Sequence, residues 1–150
     1  MGLSWVLHIH ILAAIAWIGG SIFMFVLGVT MRDKKAQESV YPHVGPIFGY
    51  FEVAALLFLL STGTLMITDY GLIELIFTEY HSEVVDALRT KLSIVLVLLI
   101  VTVIHFVIAL KTNGKLRTPL QNFISRCSSM LIFILNLFVL HFAMVIRDIL

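Results

Sequence analysis

The residues with chemistry to offer gather first in Leu7-His8-Ile9-His10-Ile11-Leu12-Ala13-Ala14-Ile15-Ala16-Trp17-Ile18-Gly19-Gly20. The stretch is apolar apart from its histidines. An imidazole in hydrocarbon costs free energy unless it is paired or ligates something, so a histidine at that depth is a functional signal. Trp17 lies two helical turns beyond His10 and therefore on the same face. Gly19 and Gly20 then allow close backbone approach, to a neighbouring helix or to a flat macrocycle.

Other polar residues can be placed by depth, counting about 1.5 Å per residue from the ends of the apolar segments. His10 in the first segment and His141 in the last each fall roughly 10 Å below one surface. Lys91 lies on the same side and slightly shallower, with His8 and His81 nearer the surface still. A second set, Glu52, His105 and Arg126 with His43 near the mouth, gathers towards the opposite side.

Two imidazoles from different helices at one depth are the minimum set for axial ligation of a b-type haem in a bundle core. The competing reading is interhelical glue, in which His10 and His141 hydrogen-bond each other or a carbonyl. Copper is a third reading: His8, His10, His141, Met144 and His81 supply the imidazole and thioether donors that copper prefers. Methionines deeper in the segments form no continuous ladder, and methionine is common filler in apolar helices. For the second set, a structural polar cluster of Glu52, His105 and Arg126 competes with a second haem ligated by His105, with His43 as its partner.

The elements that must position these groups are legible from composition. The chain is 60% hydrophobic and 13% charged, with a mean hydropathy of +1.05, far from the roughly 25% charge of a soluble domain. Four apolar segments, about 3–31, 43–68, 84–111 and 119–147, each exceed the ~20 residues needed to cross hydrocarbon. Backbone satisfaction in lipid then predicts an all-α, integral membrane, four-helix antiparallel bundle forming one domain over 1–150. Pro42 and Pro46 suit the first turn of the second helix, and Gly114 suits a left-handed cap after the third. Tyr70 to Phe77 reads as a short amphipathic helix at the interface. The first segment lacks a basic leader and a cleavage site, and reads as retained.

Arg32, Lys34 and Lys35 in the first loop, and Lys111, Lys115 and Arg117 in the third, face an acidic second loop. The positive-inside rule puts the basic loops in the cytoplasm and both termini outside, in the cell (inner) membrane. Charges confined to short loops leave no basic face for nucleic acid. With Cys127 the single cysteine, an intramolecular disulfide and a cysteine-based metal cluster are excluded.

His10 with Trp17-Ile18-Gly19-Gly20 resembles the opening of CopD-like and HemJ-type membrane proteins, and Arg89-Thr90-Lys91-Leu92 is similar to the Lys-Leu at the third helix of HemJ-type proteins. The resemblance implies a compact helical bundle. HemJ-type proteins are haem-containing, oxygen-independent protoporphyrinogen oxidases, and CopD-like proteins are associated with copper uptake or resistance. Carried over by position, it implies His10 as a haem ligand and Lys91 as a polar partner near the same site.

The leading expectation is a b-type haem protein moving electrons across or along the bilayer. It would hold one haem between His10 and His141 against Trp17, with His105 serving a second. Its partners would be lipid and a redox partner protein or a second copy. A HemJ-like oxidase, with Lys91 near a substrate carboxylate as its candidate catalytic residue, and a CopD-like copper protein are the alternatives.

Overall fold

The computed structural model describes residues 2–79, 81–112, 115 and 118–149, with the side chains of 2, 3 and 34 left aside. The proposed Gly114 cap and the Arg117 charge lie outside the described residues. Five helices follow in order: α1 (Gly2–Thr30), α2 (Lys34–Asp69), α3 (Leu72–Phe77), α4 (Glu83–Lys111) and α5 (Pro119–Ile149). Every described element is helical. Four of them are long and apolar enough to cross a membrane: Ser4–Thr30, Lys35–Asp69, Glu83–Lys111 and Pro119–Ile149. The outward faces suit that role, since Leu12, Ile15, Phe58, Leu96, Ile100 and Phe123 are all exposed.

α2 starts well before the residue-43 boundary that its prolines suggest. Asp33 adopts an extended backbone and its carboxylate accepts from the Lys35 N–H at 3.2 Å, an N-cap. The Gln37 side chain donates to the Met31 carbonyl and ties the turn down. Pro42 and Pro46 therefore sit inside the helix, where each lacks the N–H that would bond the carbonyl four residues back. At 36 residues, α2 is about 54 Å long, well beyond the ~30 Å of a hydrocarbon core. It stops where Gly71 turns left-handed at φ +68°, a conformation that glycine adopts without a Cβ penalty.

The helices pair as two hairpins, α1 along α2 and α4 along α5. α1 also touches α5, and α2 meets α4 more sparsely, so the four long helices close into an antiparallel ring. On α1 the buried face runs through Ala13, Trp17, Gly20 and Ser21, a helical spacing. α5 buries Ser125, Ser128 and Asn136, small or polar side chains of the kind that pack membrane helices. Stacked rings add to both seams: Phe23 on Phe48 between α1 and α2, and Phe25 on Phe133 between α1 and α5.

The expected short helix in the acidic loop is α3, and Arg89 secures it. Its guanidinium donates to the carbonyls of Leu75 at 2.8 Å and Ile76 at 3.0 Å, and also to that of Thr78. Those are carbonyls at the end of α3, which a cation satisfies best. Arg89 also pairs with Asp86 at 3.1 Å, and Asp86 in turn pairs with His81.

Candidate functional site

Antiparallel packing brings the start of α1, the end of α2 and the start of α4 to one end of the bundle, and His10 lies there among them. Its Nδ1 is 2.8 Å from the Thr62 hydroxyl of α2. That hydroxyl donates its own proton to the Phe58 carbonyl at 2.5 Å. Thr62 must therefore accept from His10, which places the proton on Nδ1 and leaves Nε2 with its lone pair. The ring lies against Gly63, where an added Cβ would stand 3.4 Å from His10 Cε1. Lys91 of α4 is half-buried and within electrostatic reach of the imidazole. No carboxylate and no hydrogen-bond acceptor pairs with Lys91 among the described residues. His10 and Lys91 thus share this end, and among the described residues no ion pair reaches Lys91.

Two turns deeper, Trp17 is 3% exposed and donates its Nε1–H to Asn136 Oδ1 at 2.8 Å. Asn136, 2% exposed, donates in turn to the Ser21 hydroxyl at 2.8 Å. A single amide on α5 therefore bridges two successive turns of α1. Sequence reasoning placed Trp17 against a cofactor and overlooked Asn136 and Ser21. An amide in the middle of Phe133-Ile134-Leu135-Asn136-Leu137-Phe138 was the available signal.

His141 is exposed, with its ring edge-on to Phe142 at 5.4 Å between centroids. Among the described residues no hydrogen bond joins it to His10, whose imidazole turns towards α2. His8 and His43 are exposed and donate to the carbonyls of Ser4 and Ser39, one turn back on their own helices. Among the described residues, His10 and His105 are the histidines on long helices that hydrogen-bond across to another long helix.

His105 of α4 reaches Ser128 of α5 at 2.8 Å, and Ser128 donates to the Ser125 carbonyl at 3.1 Å. The same logic as at Thr62 assigns the His105 proton to Nδ1. Glu52 turns the other way, to α1, where a Cβ on Gly20 would stand 3.5 Å from its Oε1. Arg126 is exposed on α5. Among the described residues no ion pair links Glu52 to Arg126 or His105, and the expected three-residue cluster is not assembled. The physical reason is the order of helices around the ring: His105 sits in the α4–α5 seam, Glu52 in the α1–α2 seam. There are two shallow apolar grooves, each about 230 Å³, the first of them also lined by Ser128. One, between α4 and α5, is lined by Val101, Ile104, Phe123 and Cys127; the other runs along α2 at Ala54, Phe58 and Ser61.

Among the described residues no group of three or more histidine, cysteine, aspartate or glutamate side chains could hold a metal ion. An iron already held by a porphyrin needs only one or two, and His10 can supply one.

No family model matches the chain, and no curated protein and no solved structure matches it.

Proposed function

We propose that the chain is an integral membrane haem b protein in which His10 Nε2 is an axial ligand, and that it moves electrons within the bilayer. The observation that carries this reading is the Thr62 hydroxyl. Because its proton is committed to the Phe58 carbonyl, it holds the His10 ring with Nδ1 protonated and Nε2 available. Histidine ligands are fixed in that way by a partner on the second nitrogen, which sets both tautomer and orientation. Lys91, which no ion pair reaches among the described residues, suits a carboxylate at the same place, such as a haem propionate. A haem bound there would supply one-electron chemistry. The chain supplies the ligand, a positive charge for the carboxylate and the apolar wall beneath.

His141, at the same end of α5, is the candidate for the opposite axial position, and His105 for a second haem at the other end. With His10 held across helices near Lys91, a haem that His10 would hold with room left for substrate is the second reading. That is the HemJ-like oxidase, favoured by Lys91 as a site for a substrate carboxylate. The loop charges support a cell-membrane location with both termini outside, and a redox partner or a second copy would complete the electron path.

The test is an absorption spectrum and a metal count on the purified protein. We expect a Soret band, its loss in His10→Ala, and its retention with a shifted reduction potential in Thr62→Val. A wild-type spectrum in His10→Ala refutes the ligand. A colourless protein carrying stoichiometric copper replaces the haem with the CopD-like reading.

A further inference from the structure

Glu52 plays no part in the site at His10. Its carboxyl lies in the notch that Gly20 leaves in α1, and Gly20 is about 15 Å from the α1 C-terminus, half the thickness of a hydrocarbon core. Phe48 closes the notch on one side, 3.0 Å from where a Gly20 Cβ would stand. Among the described residues no hydrogen bond or ion pair reaches Glu52.

The registers of α2 and α4 bring a second unpartnered group to this level. Gly49 packs against the Phe106 ring, at 3.3 Å for an added Cβ. The helices are antiparallel, so Glu52, one turn on from Gly49, is level with the turn of α4 that precedes Phe106. Thr102 sits there, 9% exposed, its hydroxyl buried with no hydrogen-bond partner among the described residues.

We propose that Glu52 is a proton-binding site inside the bundle, lodged against α1 at Gly20 and level with the unpartnered Thr102 hydroxyl of α4. An unpaired carboxylate in hydrocarbon is costly, and uptake of a proton removes the charge and creates a donor for a neighbouring oxygen. Of the titratable groups on the helices packed around it, His105 is the nearest in level. α1 carries none between His10 and its C-terminus, and α4 none between Lys91 and His105. Lys91 belongs to the end at His10, and His105 turns into the α4–α5 seam towards Ser128. α3, which also packs on α2, carries Glu74 in the acidic loop.

A proton fits this place better than a sodium ion. α1, α2 and α4 run unbroken past it, whereas membrane sodium sites draw on carbonyls freed where helices unwind. The inference does not depend on the haem.

Carbodiimide labelling tests it directly, because dicyclohexylcarbodiimide modifies protonated carboxyls in apolar surroundings. The full chain in phospholipid vesicles is treated at neutral pH and the adduct is mapped by mass spectrometry. We expect one adduct, at Glu52, that falls as pH rises, is lost in Glu52→Gln and is indifferent to sodium chloride against choline chloride. Absence of label at Glu52 in the folded wild type overturns the proposal, whatever the variant does. Protection by sodium overturns it in favour of a sodium site.

Discussion

Removing the Asn136 side chain takes away a buried amide that ties α1 to α5. Asn136→Ala deletes two hydrogen bonds, from Trp17 and to Ser21, both at 2.8 Å. Interhelical hydrogen bonds in membrane proteins average about 0.6 kcal/mol and reach about 1.7, so the pair is worth about 1–3 kcal/mol. The two orphans differ. Ser21 can turn its hydroxyl to a carbonyl of its own helix, as Thr62 and Thr64 do. Trp17 cannot, and a buried N–H left unmet costs about 1–3 kcal/mol. The expected loss is therefore about 2 kcal/mol, most of it from the indole. A double-mutant cycle isolates that part. Trp17→Phe removes the donor, and Asn136→Ala combined with it leaves no stranded indole. Reversible unfolding by dodecyl sulfate in mixed micelles, followed by circular dichroism, gives the four free energies. A coupling of about 1 kcal/mol is expected. Additivity within about 0.3 kcal/mol would show that the amide does not link these helices, and the reasoning would fail.

Gly20→Ala should destabilise by about 1–3 kcal/mol in the same assay, since its Cβ would stand 3.0 Å from Phe48, a ring already stacked on Phe23. Gly19→Ala, with nothing within 4 Å, should be neutral or stabilising, and equal costs at both positions would refute the notch. A reporter inserted in the α4–α5 loop should register the cytoplasmic face and one after α5 the outer face, and the reverse pattern would invert the orientation.

Length and hydropathy made the four long helices readable, because spanning hydrocarbon demands a run of apolar residues that nothing else in the chain resembles. The start of α2 was not readable in the same way. Pro42 and Pro46 signal a first helical turn, while the structure puts the cap earlier in the chain, at Asp33. The cap prevails, because the two prolines each remove one backbone bond without preventing the helix from continuing. Depth could be counted in 1.5 Å steps, but direction around the bundle could not. Glu52 and His105 therefore read as neighbours, although one faces α1 and the other α5. The tautomer of His10 was illegible for a further reason. It depends on where a threonine on another helix sends its proton, and no spacing within α1 records that.

The sparse seam between the hairpins has a mechanical consequence. Each hairpin is a stiff plate, and the plates are joined along one edge by α1 against α5 and more lightly by α2 against α4. His10 and Thr62 ride on the same plate, while Lys91 rides on the other. Rocking one plate against the other would vary the distance from the imidazole to the ammonium and leave the imidazole's own tether untouched. Such a rigid-body motion would change the field at His10, and the Trp17–Asn136–Ser21 bridge between α1 and α5 would oppose it.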